Sequence, residues 1–498
     1  MSEAKASYRQ VLRSSSIIGG ASVGNIAIGI LRTKVLAVLL GPAGVGLMSL
    51  YTGLLSTATA FATMGVGTVG TRQIAQASGK EDVRALTIVR RAMFWGTMLM
   101  AMASAIVVYS LRIVLAEHVL GSRSDAGAVG WLSLGVALSV ASASQGALLQ
   151  GMRRIGHMAQ LSLFGALLAT VLGIAVLWIW GSAGLVAYVL VAPAVAFALG
   201  HFYVSRLPKS PPQQITSQQV LDQWKIMLRL GVAFVGAELV GSLVQLWIRV
   251  YLGKTLGRDA LGQYQAAWMV STQYITFVLG AMAADYYPRL SGLNHDREAT
   301  ARLVNEQSEI AILLSAPVLV AMMALAPWVI RVLYAPSFAP AAEIFRWQIL
   351  GDVLKVASWP LGFVILAAGD GKAFFWSETA SWIVFAGFAV AVTPLIGLRA
   401  AGIASLVCYA FYLPLVYWLA RRRIDFRWSG PVLRGTLITF AVCAGVGLIA
   451  ASTKFGMPLG CLVAATFGLF AFGRVSRMIE LGGTLGRWAG LVQKLTRT

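Results

Sequence analysis

Charge is scarce in this chain. Asp, Glu, Lys and Arg together make up 12% of its 498 residues, about half the share of a soluble domain. With 58% hydrophobic residues and a mean hydropathy of +0.75, the composition excludes a water-soluble protein. Acidic residues are scarcer still, 19 against 40 basic, for a net charge of +21. That excess would suit nucleic acid only if it were clustered on a soluble surface, and it is not. Cysteine is nearly absent: Cys408, Cys443 and Cys461 each fall within an apolar run, which excludes a disulfide framework. The four histidines, His118, His157, His201 and His295, show no metal-ligand spacing. No nucleotide-binding loop or nucleophile–base pair appears. No hydrophilic stretch is long enough to house a soluble catalytic domain.

Apolar runs of about 18 to 25 residues are what the chain does have, from end to end. Such runs are the length of a membrane-spanning helix, and they lack the alternation of barrel strands. Spans are expected near 16–40, 44–69, 89–112, 128–150, 158–180, 183–205, 228–252, 261–285, 308–333, 343–368, 373–396, 400–420, 432–452 and 456–474: fourteen helices with both termini cytoplasmic. On that reading 28 of the 40 basic residues fall on the cytoplasmic side, 7 in outer loops and 5 inside spans, as the positive-inside rule requires. Lys372 is the weakest point of the alternation. The basic N-terminus before the first run reads as a retained helix, since the run is too long for a signal peptide and lacks a small-x-small cleavage site. Arg72–Arg91 has room for a short amphipathic helix. RLPKSPPQQITSQQ (206–219) reads as a Pro- and Gln-rich linker.

The chain repeats itself. Leu40-Gly41 and Gly46 recur as Leu256-Gly257 and Gly262; Arg32 recurs as Arg249, Arg72 as Arg289, and Gly184 as Gly402, all at offsets near 217. Two copies of a six-helix unit follow: a first lobe over 1–206, a cytoplasmic linker over 207–227, a second lobe over 228–423, and two added helices with a tail over 424–498. An even number of spans per copy gives both the same orientation, which predicts halves related by an axis along the membrane normal with a substrate site between them.

Three stretches carry a family resemblance: LRTKVLAVLLGPAGVGLMSL (31–50), LGQYQAAWMVSTQYI with YYPRLS (261–275 and 286–291), and FRWQILGDVLKV (345–356). They resemble the Wzx-type flippases of the multidrug/oligosaccharidyl-lipid/polysaccharide exporter (MOP) superfamily, in particular O-antigen and enterobacterial common antigen translocases. WQxxGDVLKV is the most specific piece; LGPxxxG recurs across the superfamily. The resemblance covers roughly residues 1–423, and the last two spans depart from its twelve-helix pattern. It implies an all-α, V-shaped bundle of two six-helix lobes working by alternating access in the bacterial inner membrane. The implied substrate is an undecaprenyl-pyrophosphate-linked oligosaccharide, moved from the cytoplasmic to the periplasmic leaflet for O-antigen or exopolysaccharide synthesis. A polysaccharide polymerase and a chain-length regulator are the implied protein partners, with no nucleic acid.

Such a substrate needs fixed cations for its phosphates, amides and aromatics for its sugars, and room for its tail, because dehydrating charge and sugar in lipid is prohibitive. The phosphate candidates are Arg32 and Lys34 in the first span and Arg249 in the seventh, the guanidinium matching phosphate by its planar fork. Arg32 and Lys34 stand about 200° apart around their helix, so they cannot both face one cavity squarely; an interface anchor or a structural ion pair is the alternative for either. Cavity and coupling candidates are Glu238, Asp352, Lys355 and Asp285. Asp352 and Lys355 are spaced for an intrahelical pair, whereas Glu238 has no cation three or four residues away. Glu378, near the inner end of its span, reads as a cap. Sugar-contact candidates are Gln265, Trp268, Gln273 and Tyr274, although Trp and Tyr also belt membrane interfaces. Pro193, Pro317, Pro360 and Pro414 lie inside spans, where each would kink its helix.

Other functions stay open at this point. A multidrug exporter of the same superfamily would favour acidic cavity residues, whereas the five span-embedded cations, Arg32, Lys34, Arg249, Arg346 and Lys355, favour an anionic substrate. A polymerase or ligase needs a large outer loop or a catalytic constellation, and neither is present. A non-transporting component of a polysaccharide assembly complex is compatible with the same residues. The chain is therefore expected not to be an enzyme, and to use no cofactor beyond proton or sodium coupling.

Overall fold

In the computed structural model the chain is helical throughout its described residues, 2–208, 214–293, 296–452 and 456–478. Side-chain surroundings are described from Gly20 onward, except at 233–234, 277–278, 281, 283–285, 451–452 and 475–478. The order is α1 (Ser2–Thr63), α2 (Val66–Gly79), α3 (Val83–Ser110), a single turn α4 (Arg112–Leu115), α5 (Ala126–Gly151), α6 (Ile155–Trp180), α7 (Leu185–Ser205), α8 (Ser217–Leu256), α9 (Arg258–Gly292), α10 (Arg297–Leu333), α11 (Ala341–Ala367), α12 (Gly371–Ile396), α13 (Arg399–Ile424), α14 (Gly430–Ser452) and α15 (Gly456–Met478). No strand occurs among the described residues. Helix is the form in which an apolar segment satisfies every backbone group without water. The starts are set by polar caps: Asp82 accepts from Ala85 N–H, Asp296 from Ala299 N–H and Asp370 from Ala373 N–H, each at 2.9 Å. Thr216 and Gln219 close a reciprocal capping box.

Among the described residues eleven stretches are long and apolar enough to cross a membrane. Two of them, Gly20–Thr63 with 44 residues and Ile155–Ser205 with 51, are about 65–75 Å long at the helical rise, enough for two crossings of a hydrocarbon core of about 30 Å. Each is broken at a glycine in a left-handed conformation: Gly41 (φ 60°, ψ −174°) and Gly181 (φ 55°, ψ −139°). The expected span 261–285 lies inside the single helix α9. Every one of the fourteen expected spans coincides with a helix. The second ends early, at Thr63, where Met64 and Gly65 take φ of 40° and 68°, and α2 starts there rather than at Arg72. The four prolines sit inside unbroken helices α7, α10, α11 and α13.

The repeat is visible in backbone geometry. Gly257 (φ 89°, ψ 168°) reproduces the Gly41 turn 216 residues later, in a region of backbone space that is essentially reserved for glycine. Gly397 (φ 62°, ψ −139°) reproduces Gly181 at the same interval. The motif-ending glycines also serve a common purpose. A methyl group on Gly46 would lie 2.2 Å from the Arg258 carbonyl oxygen, and one on Gly262 would lie 1.9 Å from that of Pro42. The two LGPxxxG-type corners therefore touch backbone to backbone.

Packing divides the chain into residues 1–262 and 263–498. This packing boundary differs in kind from the linker boundary at 207–227: α8 follows the linker in sequence, yet it packs on α1, α2 and α3. In the first unit α1 also packs on α5 and α6, and α5 on α3 and α7. In the second, α11 is central, in contact with α10, α12, α13 and α14. Gly351 and Gly402 let α11 and α13 approach closely, since methyl groups there would meet backbone atoms at 3.0 Å and 2.8 Å. The two added helices are fastened to this unit. Arg474 of α15 bonds Glu309 of α10 at 2.6 Å, and Arg346 of α11 reaches the Ala450 carbonyl at the end of α14 (3.3 Å), satisfying one of the acceptors a helix end leaves open.

Candidate functional site

In the first unit the three phosphate candidates are all half-buried, although they lie in apolar helices. Arg32 stands nine residues before the Gly41 turn, and Arg249 eight residues before its copy at Gly257, so each lies about 12–14 Å down its helix from an equivalent corner. Their surroundings differ. Arg32 interacts electrostatically with Tyr188 of α7. The Arg249 guanidinium lies against Gly53 in the second half of α1, where a methyl group would stand 2.8 Å from Nη1; the bare glycine makes room for it. Lys34 is half-buried two residues, about half a turn, closer to the corner. Glu238 is exposed on α8, and eleven residues of helix return it to within about 20° of the face that carries Arg249. The side chain of Asp285 lies outside the described residues.

In the second unit α9, α11, α12 and α13 enclose a cavity of about 240 Å³. Each helix contributes a stripe at helical spacing: Lys355, Ser358 and Trp359 from α11; Phe374, Glu378, Ser381, Trp382 and Phe385 from α12; Ser405, Cys408, Tyr409 and Tyr412 from α13; and Trp268 from α9. Asp352 lies one turn from Lys355, only 4% exposed, and is claimed by α9: Ser271 Oγ donates to its carboxylate at 2.7 Å, and the Tyr274 hydroxyl donates to the same oxygen. The intrahelical pair with Lys355 that the spacing permits is not the contact formed. Lys355 instead points its ammonium at the Tyr409 ring, 5.5 Å from the centroid, and among the described residues no carboxylate lies within 4 Å of it. It still acts electrostatically on both Asp352 and Glu378. Glu378 accepts from the Tyr412 hydroxyl at 2.5 Å, so it is part of the cavity wall and not a cap.

The four sugar candidates separate. Trp268 lines the cavity, packed on Tyr264 and Phe385. Tyr274 is committed to Asp352, Gln265 is buried with its amide oxygen unpartnered, and Gln273 is exposed. The aromatic and polar residues of α12 and α13 are the ones that sequence reasoning missed. Their signal was present as i, i+3, i+4, i+7 stripes such as Ser405, Cys408, Tyr409 and Tyr412, but a stripe on a membrane helix does not say whether it faces protein or lipid.

Outside the spans two carboxylates are fixed by partners. Asp370, between α11 and α12, is held below the usual carboxylate range by the Ala373 amide and then by Arg423, which it pairs across the end of α13. Glu117 is likewise lowered by Arg123, bonded at 2.9 Å. Among the described residues no group of three or more His, Cys, Asp or Glu is placed to hold a metal.

A family model described as polysaccharide biosynthesis protein matches residues 35–343, more than half of the chain. The chain belongs to that family. Among curated proteins it is similar to the lipid III flippase of Escherichia coli (strain K12), 24% identical over 416 residues that cover 80% of this chain and 96% of that one. It is also similar to the succinoglycan biosynthesis transport protein ExoT of Rhizobium meliloti (strain 1021), 25% identical over 303 residues, 58% of this chain and 56% of that one. Among solved structures, the lipid II flippase MurJ in an inward closed conformation aligns with a TM-score of 0.70 at 12% identity, covering 93% of this chain and 99% of that one. An inward-facing multidrug resistance MATE family transporter of the MOP superfamily aligns with a TM-score of 0.65 at 17% identity, covering 81% and 94%. At these identities the structural likeness is one of fold. The family is one of polysaccharide biosynthesis, and the curated relatives named above are a flippase and a transport protein.

Proposed function

We propose that this chain flips undecaprenyl-pyrophosphate-linked oligosaccharide units from the cytoplasmic to the periplasmic leaflet of a bacterial inner membrane by alternating access, supplying O-antigen or exopolysaccharide synthesis. The observation that carries this reading is the half-buried cation recurring at equivalent depth below the two glycine corners, Arg32 and Arg249. A cation inside an apolar span costs about 2.5–3.5 kcal/mol on insertion scales, and an anionic pyrophosphate offsets that cost through charge-assisted hydrogen bonds. A lipid III flippase aligned along 80% of the chain supports a lipid-linked substrate. Both termini lie in the cytoplasm on this reading. The flipped unit passes to a polysaccharide polymerase acting with a chain-length regulator.

A proton or sodium gradient drives the cycle, with Glu238 as the carboxylate that takes up the ion. Leaflet-resolved translocation of a defined undecaprenyl-pyrophosphate oligosaccharide in proteoliposomes tests the reading; flipping that depends on the protein supports it, and a glycan that stays in its original leaflet overturns it. In the same vesicles Glu238→Gln is expected to change the pH or sodium dependence of flipping. An unaltered dependence removes Glu238 as a coupling group.

A further inference from the structure

The cavity of the second unit has a chemistry that neither phosphate binding nor ion coupling uses. Its walls are aromatic faces from four different helices, Trp268, Trp359, Trp382 and Tyr409. Two charged groups stand among them. Lys355 contributes an ammonium that lacks a carboxylate within 4 Å among the described residues. Glu378 contributes a carboxylate with one oxygen taken by Tyr412. An ammonium with no carboxylate beside it keeps hydrogen-bond donors to spare, and its place in the wall points to a ligand that accepts from it.

We propose that this cavity is a pocket for one uncharged sugar ring of the transported glycan, a proposal that rests on the lipid-linked glycan reading. The C–H face of a pyranose buries against an aromatic face much as any apolar surface does, while its ring hydroxyls both donate and accept. Donors and acceptors are both on hand, in the Lys355 ammonium and the Glu378 carboxylate. The lining charges, one ammonium and one carboxylate, cancel, so an uncharged ring is favoured over a uronate. At about 240 Å³ the cavity lies below the roughly 300–1,000 Å³ of pockets that take drug-sized ligands, the scale of one ring and not of a whole repeat unit. It runs from Lys355 to Leu366 along α11, about 16 Å of helix. A polyprenyl tail in the same place would leave Lys355 facing hydrocarbon, an unfavourable exchange.

The test uses the full chain in lipid nanodiscs free of glycosidic detergent, with free glucose, N-acetylglucosamine and glucuronate as probes in saturation-transfer NMR titrations. At least one of the two uncharged sugars is expected to bind, with glucuronate at least fivefold weaker. Trp382→Ala should weaken binding at least fivefold. Lys355→Met, which removes the ammonium at nearly the same length and tests the pocket if Trp382→Ala folds poorly, should weaken it about threefold. Trp178→Ala, at a site 79% exposed on the first unit, should leave it unchanged. The proposal is overturned if neither uncharged sugar binds, if glucuronate binds more tightly, if Lys355→Met binds as wild type, or if a C20 isoprenol displaces the sugar. Sugar binding is read without transport, so the two readings fail separately. Absent binding with intact flipping removes the pocket alone, and absent flipping with intact binding removes the flippase reading alone.

Discussion

The helices α1 and α11 both carry charge through apolar surroundings, and they do so in opposite ways. In the apolar window of α1 only 11% of residues are buried within the protein, against 67% in α11. The cations of α1 are half-buried: Arg32 has the phenol of Tyr188 nearby, and Arg249 of α8 rests against a bare glycine. The carboxylate of α11 is enclosed and tied to two hydroxyls of α9. A charge that is to meet a ligand must keep unsaturated hydrogen-bonding capacity near an opening, whereas one that is to hold a core together must be saturated from within, because a buried unpaired charge is expensive. On the proposed reading Arg32 is a group of the first kind, and Asp352, saturated by Ser271 and Tyr274, is one of the second.

The comparison can be broken most directly at α1. Arg32→Ala combined with Lys34→Ala is expected to abolish glycan export while the protein still inserts and accumulates in the membrane; wild-type export from the double variant would remove the cation reading altogether. The single variants then sharpen it, since the two side chains point about 200° apart and only one is expected to reproduce most of the loss.

A smaller, structural effect is expected where the repeat corners touch. Gly262→Ala places a methyl group 1.9 Å from the Pro42 carbonyl oxygen and should cost about 1–3 kcal/mol as an overpacked contact, read as a lowered Tm in detergent. Gly20→Ala, with nothing within 4 Å, is the control, and equal Tm values would show that the corners do not bear on each other. At α11, Asp352→Ala leaves the Ser271 and Tyr274 hydroxyls without their acceptor and is expected to cost about 1–3 kcal/mol, whereas Asp352→Asn, which keeps an acceptor, should cost less. A tolerance of Asp352→Ala equal to that of the asparagine variant would place Asp352 with the ligand-facing groups instead.

The smallest effect concerns the loop that joins α11 to α12. The Asp370 carboxyl is lowered in the folded protein, so its stabilising contribution is present above its unfolded pKa and is lost as pH falls through the folded value. Thermal unfolding followed from neutral to acid pH should show a modest drop in Tm that Asp370→Asn reduces. An undiminished drop would mean that Asp370 does not report on the second unit.

Much of the architecture was legible from composition alone, because a bilayer admits only segments of one length and one kind of hydrogen bonding. The runs, their breaks at Gly41, Gly181, Gly257 and Gly397, and the doubling of the unit are all one-dimensional patterns. The structure altered details: the early end of the second span at Met64 and Gly65, and the packing of α8 with the helices before the linker.

The sites were legible only in part. Arg32, Lys34 and Arg249 stood out because a cation in an apolar run is anomalous on the page. Trp382, Ser405 and Tyr409 did not, since each is ordinary in a membrane helix until α9, α11, α12 and α13 bring them around one cavity. Asp352 shows the same limit from the other side: the i,i+3 spacing pointed to Lys355, but Ser271 and Tyr274, about 80 residues away in sequence, were better placed to donate to it. Span length, helix class and repeat follow from the sequence by itself, because they answer to the solvent around each segment. Which polar side chain meets which was decided only by tertiary structure, because that depends on how helices distant in the chain are rotated toward one another.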